Sequence, residues 1–229
     1  MRNQLKPVKN RSLSDDVAAT LREEIFAGRF KPGTPLREMH LAKELDVSQK
    51  TVRDALVKLE RYGLVVRVPN KETTVTRHSR REVQQRLELR ATLEEVAALR
   101  AAKLMKDADY ALLENLVHSM AEYCSQDKYF EAGQVDLDFH RYIWERADNE
   151  TLYTILDHLT VPLFAFVSIM RSISHTGMTH TAAQHQELLD ALKSKKAARI
   201  SRAVRGHFAN SYDGFLNSDV ESLEAMLMK

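Results

Sequence analysis

The sequence predicts a mainly α fold, in which three short helices and a β-hairpin precede an all-α bundle of six or seven helices. Apolar residues recur at helical spacing along most of the chain, and β-branched runs are confined to the region around residue 70. Only seven glycines and five prolines interrupt these patterns. We expect an N-terminal domain over 1–77, a linker over 78–82 and a helical domain over 83–229.

The first helix is predicted to begin at Ser14, where a capping residue precedes two carboxylates. Its apolar stripe consists of Val17, Leu21 and Ile25. Gly28 stands where a left-handed C-terminal cap is expected, and the segment 31–33 (KPG) predicts a turn.

Two further amphipathic helices meet at a tight turn formed by Asp46 and Val47. Ser48 opens the second of these helices and can accept a hydrogen bond from its first free amides. The buried face of this helix is predicted to hold Val52, Leu56 and Leu59. The exposed first turn, where a recognition helix meets bases and phosphates, holds Gln49, Lys50, Thr51 and Arg53.

The segments 64–68 (LVVRV) and 73–77 (TTVTR) flank a polar turn at 69–72 and predict a hairpin. Three helices followed by a hairpin form a winged helix-turn-helix, which indicates DNA binding. In this hypothesis Arg37 and Arg53 contact phosphates or bases, and Lys71 extends from the hairpin. The pattern therefore favours regulation over catalysis.

The charge distribution agrees with a DNA-binding N-terminal domain. Residues 1–80 contain 17 Lys and Arg against 10 Asp and Glu, whereas residues 81–229 contain 17 against 22. We expect only the basic part to meet a polyanion, although a coincidental charge split is the alternative.

The remainder of the chain is predicted to be helical at about 83–105, 108–126, 129–148, 151–173, 181–194 and 196–217, with a short helix after Asp219. The single cysteine, Cys124, fits a reducing cytoplasm. The longest nearly apolar run, Val161 to Met170, is much shorter than the ~20 residues needed to span a bilayer. We expect a cytoplasmic protein without a membrane partner.

Asp136 and His140 stand four residues apart in VDLDFHRYIW, so they share one helix face. His185 and His207 follow in two other helical stretches beside core residues. One carboxylate and three imidazoles suit zinc or another first-row divalent cation, with nickel and manganese as alternatives. Each histidine taken alone is more often a surface residue or a hydrogen-bonded core residue than a metal ligand.

Arg90 and Glu94 lie four residues apart in LELRATLEEVAAL. An arginine near the buried face could clamp a carboxylate ligand through two parallel hydrogen bonds, whereas a solvated ion pair is the alternative. Asn149, His175 and His180 are further pocket candidates near predicted helix ends, although Asn149 is also explained as a helix-terminating residue.

The run from Leu21 to Val65, followed by VPNKETTV, resembles the N-terminal domain of the GntR family of bacterial transcription regulators. The helical remainder resembles that family's FCD ligand-binding domain. The most specific segments are GRFKPG at 28–33, VRDALVKLE at 52–60 and DLDFH at 136–140.

This resemblance implies a homodimeric repressor that binds a palindromic DNA operator and responds to a small metabolite. It implies a divalent metal held by Asp136, His140, His185 and His207, since the separation of 22 residues between the last two matches the family pattern. It further implies that the metal and Arg90 together hold a carboxylate effector.

The sequence departs from the family pattern at several DNA-facing positions. Asp46 stands where the family usually has Gly, although Asp tolerates left-handed backbone better than most residues. The recognition helix begins Ser48-Gln49-Lys50-Thr51, whereas Ser-Arg-Thr-Pro is common in the family. Met39 replaces a frequent Arg, and Glu72 replaces a Gly in the hairpin. We therefore expect DNA binding with an altered operator half-site.

Two alternatives to a ligand-responsive regulator stay open. A metal with Asp and His ligands and an open coordination position could activate water, which would make the bundle a metal-dependent enzyme with an accessory DNA-binding domain. No convincing general base accompanies the metal candidates in the sequence. In the other alternative the metal is purely structural and the bundle serves only as a dimeriser.

We expect a Gln49→Arg variant to change its base preference from adenine to guanine at the contacted position. Glutamine pairs with the N6 and N7 edge of adenine, whereas arginine pairs with O6 and N7 of guanine, and such a pair gives about 1–3 kcal/mol of discrimination. Selection of bound sequences from a random DNA library measures the change. An unchanged preference would contradict the placement of Gln49 against a base.

Overall fold

In the computed structural model, which describes residues 12–67, 72–174 and 181–211, nine helices and one two-stranded sheet follow the predicted order. The N-terminal part contains α1 (Leu13–Phe26), α2 (Glu38–Glu44), α3 (Gln49–Arg61), β1 (Val65–Val66) and β2 (Thr74–Val75). The remainder contains α4 (Arg80–Leu104), α5 (Asp107–Ser125), α6 (Tyr129–Arg146), α7 (Glu150–Ser174), α8 (Thr181–Ser194) and α9 (Ala197–Ser211). The predicted mainly α fold class is confirmed.

The first helix begins earlier than predicted, because Ser12 and not Ser14 occupies its N-cap. The backbone N–H and the hydroxyl of Ser12 both donate to the Asp15 carboxylate, at 2.9 and 2.7 Å. Ser14 instead accepts a hydrogen bond from Lys58 Nζ on α3 at 2.8 Å. The predicted left-handed cap is confirmed, since Gly28 has a φ of 79°.

The N-terminal helices and the sheet enclose one apolar core. The predicted stripes of α1 and α3 are confirmed, because all their members are buried: Val17, Leu21, Ile25, Val52, Leu56 and Leu59. The strands pair antiparallel, with Val65 opposite Val75. The segment before α2 pairs with the second strand, where Val75 N donates to Thr34 O at 3.0 Å. The sheet shares its core with α3, because Val65 and Val75 are buried together with Leu56 and Leu59.

Helix α4 begins inside the predicted linker over 78–82, because residues 80–82 form its first turn. The hydroxyl of Ser79 accepts from the backbone N–H of Glu82 at 3.2 Å, and the backbone N–H of Ser79 donates to the Glu82 carboxylate at 2.7 Å. This capping box starts the helix immediately after Ser79. His78 and Ser79 are the two members of the predicted linker that lie outside α4.

The six helices of the bundle follow the predicted intervals closely. Two apolar clusters fill the bundle, one around Phe139 and Leu189 and another around Trp144 and Leu156. The predicted hairpin turn at 69–71 and the predicted helix after Asp219 lie outside the described residues. Among the helices described, none has the length and apolar character required to cross a membrane.

The N-terminal part packs directly against α7. A Cβ atom built on Gly63 would lie 2.2 Å from Cγ of Pro162, so only a glycine permits this approach. His78, between β2 and α4, meets Phe166 of α7 edge to face with ring centroids 5.6 Å apart. Because Pro162 lies inside α7 and has no N–H, it also removes one main-chain hydrogen bond from the helix.

We expect a Gly63→Ala variant to have a lower melting temperature than a Gly33→Ala variant. Both glycines have positive φ, 66° and 85°, so each substitution carries a backbone strain of about 1–2 kcal/mol. Only the Cβ at position 63 would also clash with Pro162, since the nearest atom at position 33 is Arg77 Cδ at 3.9 Å. Thermal unfolding of both variants measures the difference.

The same contact can be tested by a double-mutant cycle. Pro162→Ala removes the ring atoms Cγ and Cδ, so the Gly63→Ala penalty should become smaller in that background. Equal penalties in the two backgrounds, or equal melting temperatures for the two glycine variants, would show that the Gly63–Pro162 contact does not join the N-terminal part to α7.

Candidate nucleic-acid interface and buried polar site

The first turn of α3 is exposed and capped as predicted. The hydroxyl of Ser48 accepts from the backbone N–H of Thr51 at 3.1 Å, which confirms Ser48 as the N-cap. Asp46 has a φ of 51°, so it adopts the left-handed geometry that the turn requires. Gln49 and Lys50 follow with exposed side chains. The helix terminus therefore presents an amide, an ammonium group and free backbone N–H groups to the outside.

The predicted DNA-contacting arginines are held by acidic neighbours. Arg37 Nε donates to Glu72 at 2.8 Å, and Arg53 donates to both oxygens of Glu38 with a shortest distance of 2.7 Å. The hydrogen bonds to Glu38 raise the pKa of Arg53. Both arginines are exposed, and ion pairs of this kind contribute little to stability, so they can exchange a carboxylate for a phosphate.

Two further predicted DNA-facing residues differ in how they are placed. The hydroxyl of Thr51 shares a hydrogen bond of 2.8 Å with the hydroxyl of Ser48 and is partly buried. Lys71, predicted to extend from the hairpin, lies outside the described residues. The described part of the surface thus brings Arg37, Arg53 and the first turn of α3 to one side.

The bundle contains a buried polar cluster, which we define as Arg90, Glu94, Asp136, His140, His185 and His207. Its members come from four helices, α4, α6, α8 and α9. None exposes more than 6% of its surface. The i,i+4 spacing of Arg90 with Glu94 and of Asp136 with His140 places each pair on one helix face. The structure thus brings together all four predicted metal ligands and the predicted effector-binding arginine.

The imidazole rings of the cluster are oriented by hydrogen bonds on their outer nitrogens. His140 Nδ1 lies 2.8 Å from Glu94 Oε2, and His185 Nδ1 lies 2.7 Å from the carbonyl oxygen of Thr181. Since a carboxylate and a carbonyl oxygen can only accept, both Nδ1 atoms donate. This leaves the Nε2 atoms of both rings directed at the centre of the cluster.

The inner atoms of the cluster converge. Asp136 Oδ1 lies 2.8 Å from His185 Nε2 and 3.4 Å from His140 Nε2. His140 Nε2 and His207 Nε2 are 3.2 Å apart. One ligand atom from each of His140, His185 and His207 falls within 4.8 Å of the others. Three nitrogens and one carboxylate oxygen therefore surround a common point.

Burial and mutual charge govern ionisation in the cluster. Burial alone would raise the pKa of the Glu94 carboxyl, but His140 and Arg90 outweigh it and lower that pKa to about 2. Burial also opposes ionisation of Asp136, yet the neighbouring His185 and His140 hold its pKa well below the usual range. For His207, burial and the two other imidazoles lower the pKa well below its usual value. The site therefore combines two carboxylates with a neutral imidazole.

Arg90 is fixed from three sides. Its Nε donates to Glu94 Oε1 at 2.8 Å, and its guanidinium carbon lies 5.0 Å from the Phe164 ring centroid and 4.8 Å from that of Phe208. Cation–π contacts of this kind strengthen when they are desolvated. The sequence left open whether Arg90 and Glu94 form a solvated pair or a buried clamp, and the structure shows a buried pair.

The donor set fits a divalent metal ion. Three imidazole nitrogens and one carboxylate oxygen are ligands that zinc prefers, and hydrogen bonds from the outer nitrogens of ligating histidines are typical of such sites. Among the described residues, His207 departs from this pattern, because its buried outer nitrogen, Nδ1, has no hydrogen-bond partner. The close approach of His140 Nε2 to His207 Nε2 is favourable only with a proton or a cation between them.

The remaining pocket candidates lie elsewhere. Asn149 Oδ1 accepts from the backbone N–H of Leu152 at 3.1 Å, so this side chain caps the start of α7. Its role in effector binding stays a prediction. His175 and His180 lie outside the described residues. Sequence reasoning missed the contact of Glu94 with His140, which joins residues 46 positions apart.

Two family models match the chain. The model described as "Bacterial regulatory proteins, gntR family" matches residues 13–75, and the FCD domain model matches residues 85–210. The first match covers α1 through β2, and the second covers the helices that carry the buried polar cluster.

The similarity to curated relatives and solved structures extends over most of the chain. It is 25% identical over 207 residues to the HTH-type transcriptional repressor RspR of Escherichia coli K12, covering 89% of this chain and 88% of that protein. It is 25% identical over 187 residues to a probable D-xylose utilization operon transcriptional repressor of Paenarthrobacter nicotinovorans, covering 81% of each. The structure of E. coli McbR/YncC has a similar fold, with a TM-score of 0.70, 21% identity and coverage of 90% of this chain and 98% of that one.

We expect zinc to raise the melting temperature of the metal-free protein. A ligand present at 100 times its Kd stabilises by about 2.7 kcal/mol, which corresponds to roughly 5–11 °C for a chain of this size. Asp136→Asn should abolish most of this shift, since it removes the carboxylate that contacts two imidazoles. Calorimetric unfolding with and without zinc measures the effect.

The matched control is Asp138→Asn, which changes an exposed carboxylate on the same helix. This variant should keep the zinc-dependent rise of the unchanged protein. If zinc raised the melting temperature of both variants equally, Asp136 would not be a metal ligand.

Proposed function

Since this chain belongs to the GntR family of bacterial regulatory proteins and carries an FCD domain, we propose that a small carboxylate bound in its helical bundle controls its affinity for DNA. The chain is a transcription regulator by family. The buried polar cluster is the observation that supports a carboxylate site in its bundle. A bundle core that needed only stability would be better filled by apolar side chains.

The DNA-facing part of the proposal rests on the exposed end of α3. Gln49 and Thr51 would read base edges in the major groove, while Ser48 sets the start of the helix. The basic side chains would contact phosphates or bases, and these are Arg37, Lys50, Arg53 and Lys71. The excess of basic residues in the first 80 positions would draw this part toward a polyanion.

The proposed effector site consists of Arg90 and the three histidines of the buried polar cluster. When bound, a divalent ion would supply an electrophilic position for one oxygen of a carboxylate. Asp136, His140, His185 and His207 would hold that ion, with zinc favoured by the donor set and nickel or manganese as alternatives. Arg90, clamped between two phenyl rings, would bind the carboxylate and fix its orientation.

Helix α7 offers a direct route between the two parts. Phe164 lies over Arg90, whereas Pro162, two residues earlier, contacts Gly63 beside the C-terminal end of α3. A ligand that displaced Arg90 or Phe164 would therefore act on the helix that supports the DNA-binding part. An effector changes DNA affinity only if it binds the DNA-competent and incompetent states unequally.

We further propose a homodimer that acts as a repressor in the cytoplasm. A dimer of winged domains reads a palindromic operator because its two recognition helices are related by the same two-fold axis as the half-sites. Repression is supported by RspR and by the probable D-xylose utilization repressor, which are both named as repressors.

The experiment that tests this function is sequencing of genomic DNA fragments retained by the purified, zinc-loaded protein at moderate salt. We expect a small number of palindromic sites, and the genes beside them would nominate carboxylates for direct binding measurements. If no fragment were enriched, with or without added carboxylates, operator binding would be refuted and turnover assays of the bundle against small esters would take precedence.

We expect Lys50→Ala to weaken operator binding and to reduce its salt dependence. The logarithm of the binding constant falls with the logarithm of salt concentration, and loss of one phosphate contact lowers the slope by about 1. Lys103→Ala, an exposed lysine at the end of α4, is the matched control and should leave the slope unchanged. Titrations at several salt concentrations measure both slopes, and identical slopes would remove Lys50 from the interface.

A further inference from the structure

A groove between α1 and α3, in the DNA-binding part, is bordered by three cationic side chains. Its volume is about 580 Å³, which lies within the usual range for small-molecule sites. Arg22 borders this α1–α3 groove from α1, and Lys58 and Arg61 border it from α3. Asp15 is the one carboxylate among the residues that line it, so two positive charges are left over.

That carboxylate is already engaged by one of the three cations. Lys58 Nζ donates to Asp15 Oδ1, and this contact together with Ser12 holds the pKa of the Asp15 carboxyl well below its ordinary value. Within the part of the chain that the structure describes, neither Arg22 nor Arg61 forms an ion pair. The two arginines are therefore the cations that lack a counterion.

Arg22 is the less usual of the two arginines. Its side chain is partly buried, and among the described residues its buried Nε has no hydrogen-bond partner. A buried donor left unsatisfied costs about 1–3 kcal/mol, and more when it is charged. The fork of N–H groups on a guanidinium matches the oxygens of a carboxylate or a phosphate, so an anion in the groove would satisfy it.

The groove is open because its α1 wall is made of small side chains. Asp15, Ala18, Ala19 and Arg22 follow one another at spacings of three, one and three residues, which places all four on one helix face. The two alanines leave free space between the charged ends of this face. Tyr62, with 53% of its surface exposed, borders the groove from α3 and offers an aromatic face to a bound molecule.

The charge of the groove indicates which anion fits. A carboxylate would neutralise one of the two excess positive charges. A phosphomonoester carries a charge of about −1.5 to −2 at pH 7 and three strong acceptor oxygens, so it matches both the charge and the number of cationic donors. The aromatic face of Tyr62 suits an organic group attached to that phosphate.

The groove lies away from the DNA-facing end of α3. Helix α3 has 13 residues, so its two ends are about 20 Å apart. Gln49 begins the end that faces DNA in the proposed function, whereas Arg61 and Tyr62 stand at the other end. Tyr62 is followed directly by Gly63, which contacts Pro162 of α7. A ligand in the groove would therefore lie beside the contact between the DNA-binding part and the bundle.

We propose that the α1–α3 groove binds small phosphomonoesters. Arg22, Lys58 and Arg61 hold the phosphate group, and Tyr62 packs against the organic part of the ligand. The bound phosphate bridges α1 and α3. This site is separate from the buried polar cluster and needs neither its metal nor its carboxylate.

The test is calorimetric titration of the full-length, zinc-loaded protein at low salt. The probes are AMP and ribose 5-phosphate as phosphomonoesters, inorganic phosphate as the free anion, and cyclic AMP as a phosphodiester with a single negative charge. We expect AMP or ribose 5-phosphate to bind about tenfold or more tightly than cyclic AMP, because hydrogen bonds between charged groups are the strongest that the groove can form. Inorganic phosphate should bind more weakly than the tighter of the two monoesters, since it cannot contact Tyr62.

Three variants and one control locate the site. Arg22→Gln and Arg61→Gln should each weaken binding of the monoester about tenfold or more. Ala19→Leu should weaken it as much without any change of charge, because the longer side chain fills the groove. Lys43→Gln is the control, since it removes an exposed positive charge from α2, outside the groove, and should leave the affinity within about twofold. Melting temperatures confirm that each variant is folded.

Several outcomes would overturn the proposal. If neither monoester bound, or if the two arginine variants bound as tightly as Lys43→Gln, the groove would not be a phosphate site. Binding that survived both arginine variants and Ala19→Leu would place the phosphate elsewhere, with the metal of the bundle as the first candidate. If no small phosphate bound but Arg61→Gln weakened operator binding, the cations would serve DNA instead. Equal binding of inorganic phosphate and the monoesters would remove Tyr62 from the site and reduce it to a site for free phosphate.

Discussion

The buried ion pair between Arg90 and Glu94 is the interaction on which the polar site of the bundle depends. Burying an unpaired charge costs several kcal/mol, and removing one partner of such a pair typically costs about 3–5 kcal/mol. Glu94 also accepts from His140 Nδ1, so the same carboxylate neutralises the guanidinium and sets the orientation of an imidazole. The two carboxylates of the site lie on different helices. Glu94 pairs with the Arg90 guanidinium, and Asp136 contacts the imidazoles of His140 and His185.

The two ends of the molecule use charge in opposite ways. At the exposed end of α3, Arg37 and Arg53 rest on carboxylates in water, where such pairs are weak and can be exchanged for phosphates. Inside the bundle the ion pairs are shielded from water, and an unpaired group finds no water to replace its partner. A ligand must therefore supply matching hydrogen bonds and charge. Helix α7 joins these environments, because it contacts the DNA-binding part through Pro162 and covers Arg90 through Phe164.

The sequence predicted the order of the elements well, since helical periodicity and the Ser48 cap are local signals. It could not distinguish Ser12 from Ser14 as the cap of α1, because both precede suitable carboxylates. It also left the environment of Arg90 open, since spacing assigns residues to a face but not to what that face meets.

Coupling between the bundle and the DNA-binding part is tested by the operator dissociation constant as a function of carboxylate concentration, measured once with zinc-loaded protein and once after chelation. We expect a carboxylate to change operator affinity by about 5–150-fold, the usual range of coupling between two sites, and only in the zinc-loaded protein. An equal change in the chelated protein would show that the imidazole cluster does not receive the effector. Unchanged affinity for every carboxylate that binds the bundle would show that the two parts of the chain are not coupled.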